Sequence, residues 1–222
     1  MAEPVFWHLL PHATVCVASD KLILLDLRQD RYFHVPEALT DIMLKWLEAA
    51  ECSPPPTPIA RMLERSGIAQ PVDPIASNSM RECIAIPRTL TSPTWLKAPG
   101  RSANILDIAA IVTRTWVKLR RTPLRSILQD RAATTSFRED TENLVERSTA
   151  FDRARAFAPV PRRCLLDSLA LSTWLSRSGV PGRLVFGVTA RPFSAHCWLQ
   201  VPGSILNDSY DHVSRFTPIL VA

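Results

Sequence analysis

At 222 residues, 46% hydrophobic and 21% charged, the chain has an ordinary globular composition with room for one large domain or two small ones. No run approaches the roughly 18 uninterrupted apolar residues of a spanning helix, and MAEPVFWHLLPHATV lacks a signal peptide's basic start and apolar run, so a cytoplasmic protein is expected, with no membrane partner. The net charge of +5 comes from arginines scattered through RTWVKLRRTPLR and FDRARAF, not from the aromatic-laced stripe of a nucleic-acid binder, and five cysteines without a CxxC pair or zinc spacing suggest neither disulfides nor a structural metal.

The first quarter alternates short runs of Val, Ile, Leu, Tyr and Phe with Ser-Asp and Gln-Asp breaks, which predicts a three-strand meander over residues 14–18, 22–27 and 31–35. Pro36 suits a first helical turn, and Glu37 and Asp41 suit the positive end of a helix dipole. Leu39, Ile42, Met43, Trp46 and Leu47 then recur at helical spacing, so the helix should bury one face on the sheet. CSPPPTP breaks the chain, and IARMLERSGI reads as a short helix closed by Gly67.

From about residue 71 to residue 100 prolines and serines dominate without periodicity, the pattern of a linker. ANILDIAAIVTRTWVKLRR places Ile105, Ile108, Ala109, Val112, Trp116 and Leu119 on one helical face. A further helix is predicted over 138–157, acidic first and arginine-rich last. Residues 164–175 are apolar on nearly every side of a helical wheel, so this helix should be buried. Gly179 suits a helix end. An apolar strand over 184–188, the run HCWLQV, a turn at Pro202-Gly203 and SILND follow.

That order puts a cysteine at a helix start, a histidine at the opening of the second strand and an aspartate at the end of the third. Unpaired N–H groups and the dipole favour thiolate at Cys164, and Arg162 and Arg163 should push the same way. His196 on a neighbouring strand is placed to take and return a proton, and Asp208 to hold its tautomer. Any one of these residues alone is more often packing or turn; the joint placement points to catalysis. Asp211 is the rival third member. Strand alternation turns Cys197 away from a site that His196 faces, so Cys197 reads as packing, as do Cys16, Cys52 and Cys83. His8, His12, His34 and His212 lack ligand spacing; His212 could line the site from the tail, but it is expected at the solvent.

The runs CLLDSLALSTWLSRSGVPGRLVFGV, AHCWLQV and LNDS resemble the transglutaminase-like cysteine proteases of lasso-peptide biosynthesis, the leader-removing B proteins, over about residues 162–221. Cys164, Gly179-Val180-Pro181 and His196-Cys197-Trp198 carry the likeness; Ser209 follows Asp208 where many transglutaminase-like proteins have proline. LILLDLRQDRYFHV is similar to the second and third strands of precursor-recognition domains, winged-helix-like folds of three strands and three helices.

Together these resemblances imply an α+β chain with a leader-recognition domain at 1–75, a linker at 76–100 and a papain/transglutaminase-like domain at 101–222, its buried helix packed on an antiparallel sheet. They imply that the leader adds as a strand along Tyr32, Phe33, His34 and Val35 and packs near Met62, with core packing the alternative for those five residues. They also imply a Cys164, His196, Asp208 peptidase whose partners are a lasso precursor and an asparagine-synthetase-like cyclase. No cofactor is implied: there is no GxxxxGK[ST] stretch, so any ATP dependence belongs to the cyclase. The alternatives are a non-catalytic precursor chaperone and an acyl transferase of the transglutaminase or amidase type.

Overall fold

The computed structural model describes residues 6–48, 55–72, 103–132, 142–177, 179–180 and 182–222. The chain divides into two units, Met1–Ile84 and Ala85–Ala222. The expected linker at 76–100 lies outside the described residues, as do Cys52 and Cys83.

In the first unit the β-prone runs form an antiparallel meander, β2 (Ala13–Ala18), β3 (Lys21–Asp26) and β4 (Arg31–His34), in that spatial order. Its two reversals use Ser19 and Asp30 at φ 56° and 51°, a backbone region that short polar side chains tolerate in tight turns. α1 (Glu37–Glu48) and α2 (Thr57–Ser66) follow. Met43 and Trp46 of α1 and Ile59 and Leu63 of α2 are buried with Leu22, Leu24 and Ile68 in one core. Gly67 closes α2 in the left-handed region at φ 62°, where a side chain would be strained, and its N–H reaches the Leu63 carbonyl at 3.0 Å.

Asp26, buried at the end of β3, accepts from Arg28 N–H at 2.8 Å and from its Nη2 at 3.2 Å. Arg28 Nη2 also donates to the Gly67 carbonyl at 2.7 Å, tying the sheet to the end of α2. A further pair, β1 (Phe6–Leu9) with β5 (Ala69–Val72), was not expected, and it moves the end of regular structure past residue 71. Pro71 lowers the strand signal, yet a two-stranded ribbon tolerates it because, among the described residues, each of its strands pairs on one side alone. The third helix implied by the resemblance is not among the described residues, which hold α1 and α2.

The second unit opens with α3 (Ile105–Arg121), whose first N–H groups are met by the Asn104 side chain, from Leu106 at 3.0 Å and Asp107 at 3.4 Å. α4 (Leu124–Ala132) and α5 (Glu142–Arg155) follow; the predicted helix over 138–157 ends at Arg155, and its residues 138–141 lie outside the described residues. α6 (Cys164–Ser176) packs on α3 and on the sheet, so nearly every side is covered: Leu166, Leu169, Ala170, Leu171 and Leu175 are all buried. Each such leucine contributes about 1.5–3 kcal/mol by leaving water.

Gly179, at φ 75°, turns the chain out of α6 while Val180 N–H reaches back to the Leu175 carbonyl at 3.3 Å. The sheet is antiparallel, in the order β8 (Ser204–Ile205), β7 (Phe193–Val201), β6 (Arg183–Ala190) and β9 (Thr217–Val221). A one-turn helix, α7 (Tyr210–Val213), lies between β8 and β9. The third strand is shorter than SILND suggests, and Asp208 stands in a bend beyond it. The ladder stops because the Asn207 side chain, rather than a backbone carbonyl, accepts Leu199 N–H at 2.7 Å.

Candidate functional site

Cys164 is the first residue of α6, after an extended Arg163 (φ −146°, ψ 136°) that offers no side-chain cap. The helix's first N–H groups are therefore left for another acceptor. Arg155, the last residue of α5, fixes this helix start. It is 1% exposed and donates Nε to Asp167 at 2.6 Å, Nη1 to the Val160 carbonyl at 3.0 Å and Nη2 to the Pro161 carbonyl at 3.2 Å. Burial pushes the Asp167 carboxyl above its ordinary value, and the Arg155 guanidinium opposes that rise.

His196 is the fourth residue of β7, opposite Gly187 on β6. Trp198 is fully buried beside it, and the ring of Phe216 lies 5.1 Å from the imidazole centre. The absence of a side chain at Gly187 makes this bed possible: a Cβ there would stand 2.8 Å from Phe216 Cβ and 2.8 Å from Trp198 Cζ3.

Asp208 is held by its neighbour. Asn207 accepts from Leu199 N–H and donates Nδ2 to Ser168 Oγ at 2.7 Å, and Ser168 Oγ donates to the Cys197 carbonyl at 3.1 Å. The strand bearing His196, the helix bearing Cys164 and the loop bearing Asp208 are thereby joined.

The three groups face one cleft, also lined by Phe151, Arg155 and Asn207. His196 Nε2 donates to Asp208 Oδ2 at 2.5 Å, which leaves Nδ1 for the Cys164 sulfur. Burial alone would raise the Cys164 thiol, but hydrogen bonds from His196 and from the N–H groups of Cys197 and Leu165 prevail and hold it below the ordinary cysteine value. Burial alone would lower His196; the Asp208 carboxylate and the Cys164 sulfur outweigh it and raise the imidazole to about 9. Burial would likewise raise Asp208, yet bonds from His196, His212 and Ser209 N–H keep it below the usual carboxylate range. A thiolate facing an imidazolium follows from these directions, and it suits nucleophilic attack followed by proton return.

Arg162, credited on sequence with activating the thiol, is committed to Asp152, with Nη1 at 2.5 Å from Oδ1 and Nη2 at 3.0 Å from the carbonyl. The groups acting on the sulfur are an imidazole and backbone N–H groups instead. The Cys197 thiol is buried and pushed well above its ordinary value by that burial; what this residue gives the cleft is its N–H. Cys16 is also raised by burial, to about 12. Asp211 is exposed on α7.

His212 was expected at the solvent. It is 46% exposed, but Nδ1 also lies 2.9 Å from Asp208 Oδ2 and 3.0 Å from Oδ1, and its ring stands 4.7 Å from that of His196, centre to centre. The ligand-capable atoms of His196, Asp208 and His212 lie within 4.8 Å of one another. The signal available for His212 was its spacing of four residues from Asp208; for Asn207, its place beside Asp208; Arg155 had none.

In the first unit Tyr32, Phe33 and His34 lie on β4, one of the two edge strands of the meander, with Tyr32 and Phe33 partly buried and His34 exposed. Val35 is 2% exposed and Met62 partly buried, and both pack in the core.

A family model described as the transglutaminase-like superfamily matches residues 108–221, just over half of the chain. Among curated proteins, the microcin J25-processing protein McjB of Escherichia coli is 39% identical over 46 residues, which are 21% of this chain and 22% of that protein. The match thus spans about a fifth of the relative's length. No solved structure matches.

Proposed function

Because this chain belongs to the transglutaminase-like superfamily, we propose that it is a cysteine peptidase that binds the leader of a lasso-peptide precursor and cuts it from the core before cyclisation. The observation that carries the proposal is the chain of contacts from the Cys164 sulfur through His196 to Asp208 in one cleft. The short likeness to McjB, a protein named for peptide processing, supports the substrate class.

In the proposed reaction the Cys164 thiolate attacks the carbonyl of the bond between leader and core, and the Cys164 N–H at the uncapped helix start donates to the oxyanion. The His196 imidazolium then gives its proton to the departing core amine, leaving the leader as a thioester on Cys164. Water, deprotonated by neutral His196, attacks that thioester, releasing the leader with a new C-terminal carboxyl group and restoring the Cys164 thiolate and His196 imidazolium. Asp208 orients the imidazole throughout. No cofactor enters these steps.

The proposed organisation assigns leader binding to residues 1–75, with β4 and Met62 as its contacts, and cleavage to residues 101–222. The proposed partners are the precursor and an asparagine-synthetase-like cyclase in the cytoplasm, the cyclase carrying any ATP requirement. The test follows precursor mass with wild type, Cys164→Ala and Cys197→Ala, each with and without the cyclase. Leader release by wild type and Cys197→Ala but not by Cys164→Ala is expected. Cleavage by Cys164→Ala overturns the mechanism, binding without cleavage in every condition makes the protein a chaperone, and a mass gain without leader release makes it an acyl transferase.

A further inference from the structure

We propose that His196, Asp208 and His212 form a binding site for a divalent transition-metal ion of the zinc class, and that an ion bound there shuts off the cleft. Two imidazole nitrogens and a carboxylate oxygen are a donor set that zinc accepts with a position left open, and one that hard cations such as magnesium disfavour. The three ligand-capable atoms already lie within 4.8 Å of one another.

The atoms are now joined by hydrogen bonds, at 2.5 Å from His196 Nε2 to Asp208 Oδ2 and at 2.9 Å from His212 Nδ1 to the same oxygen. Metal bonds of about 2.0–2.2 Å set tetrahedral neighbours about 3.3 Å apart. Replacing the shared protons with an ion therefore needs shifts of about an ångström or less at Asp208. His212, on the one-turn helix α7 and half exposed, is free to make the larger adjustment and opens the route from solvent.

An outer contact of the kind a metal site uses is already in place. Ser209 N–H donates to Asp208 Oδ1 at 2.7 Å and leaves Oδ2 for the ion. With Nε2 turned to Asp208, the other ring nitrogen of His196 is left for Cys164, a contact the ion does not depend on. The Cys164 thiol is not part of the set. Metal binding stands apart from the peptidase reading; the shut-off rests on it, because an ion on Nε2 displaces the Asp208 contact and draws electron density from the ring, so Nδ1 becomes a poor base for Cys164.

The full-length chain, its Cys164→Ala form and its His212→Ala form are titrated with zinc(II) in competition with a chromophoric chelator, each with its melting temperature measured. One high-affinity zinc equivalent in wild type and in Cys164→Ala is expected, with affinity lower by at least about tenfold in His212→Ala and no competition from magnesium. Equal zinc affinity in wild type and a folded His212→Ala, or loss of the site in Cys164→Ala, overturns the proposal. In the precursor assay, zinc should stop cleavage by wild type and a chelator restore it; cleavage unaffected at saturating zinc overturns the shut-off. Should wild type bind zinc in this way but never cleave precursor, the peptidase reading falls and the metal site remains.

Discussion

Asp208 gives His212 Nδ1 a contact of 2.9 Å at the same oxygen, Oδ2, that takes His196 Nε2 at 2.5 Å. One carboxylate thus holds two imidazoles, and its orientation toward the inner ring depends on the outer one. Replacing Asp208 with Asn removes the charge that favours the imidazolium, so precursor cleavage should slow by about 100- to 10,000-fold. His212→Ala removes one charge-assisted bond, so it should cost about tenfold in kcat, with KM little changed. Initial rates on synthetic precursor measure both. An Asp208→Asn rate within twofold of wild type would remove Asp208 from the mechanism.

The pH dependence follows from the directions of the shifts. The Cys164 thiolate forms as pH rises through a value below that of an ordinary cysteine, and the His196 imidazolium is lost as pH rises through about 9. The reactive pair therefore exists between those limits, and the two steps belong to the pair rather than to either residue. Alkylation of Cys164 by iodoacetamide should already be fast near neutrality, and cleavage should fall on an alkaline limb near pH 9. In His196→Ala the alkylation midpoint should move up toward the ordinary thiol value; an unmoved midpoint would mean that the imidazole does not stabilise the thiolate.

Arg155 should be the most destabilising single change near the cleft. Arg155 is 1% exposed, and its guanidinium serves Asp167, Val160 and Pro161 together. Arg155→Ala takes from the Asp167 carboxylate its hydrogen-bonded partner, at a cost of about 3–5 kcal/mol. Arg155→Lys keeps the charge without the planar fork and should recover only part of that. Thermal melting of the three proteins ranks them; a melting temperature for Arg155→Ala within a degree of wild type would refute the role.

Gly187→Ala places a methyl group 2.8 Å from both Phe216 Cβ and Trp198 Cζ3, so both side chains or the strand between them must shift. Overpacking of this kind costs about 1–3 kcal/mol. Because Phe216 lies against His196, cleavage should fall together with stability. Melting temperature and initial rate, measured on the same preparation, check the pairing; full activity in a destabilised variant would separate the aromatic bed from the chemistry.

Much of the fold was legible where local pattern and tertiary packing agree. The meander was visible because polar breaks at Ser19-Asp20 and Gln29-Asp30 fall where the chain reverses. The burial of α6 was visible because its sequence offers no polar face. β5 was hidden by Pro71, and β9 carries Pro218 opposite Gly187, beside a shift in register. The convergence of Cys164, His196 and Asp208 could be anticipated from element order. His212 was legible only in part: its spacing from Asp208 was there to read, but its part depends on Ser209 capping α7 through His212 N–H at 3.3 Å. Arg155 was not legible, because an arginine near a helix end ordinarily reads as solvated; its burial comes from the loop wrapped around it.

The link from Asn207 through Ser168 to Cys197 bears on how the site fails when heated. Three elements far apart in the chain supply the reacting groups, yet one side-chain relay fastens all three. The loop carrying Asp208 has no private hinge: for it to lift away, Leu199 and Ser168 must give up bonds in the sheet and in the buried helix. Opening of the cleft then belongs to the cooperative melting of the whole second unit rather than to a cheaper local excursion. The reacting groups should remain assembled up to the temperature at which that unit unfolds, and disperse with it in a single transition.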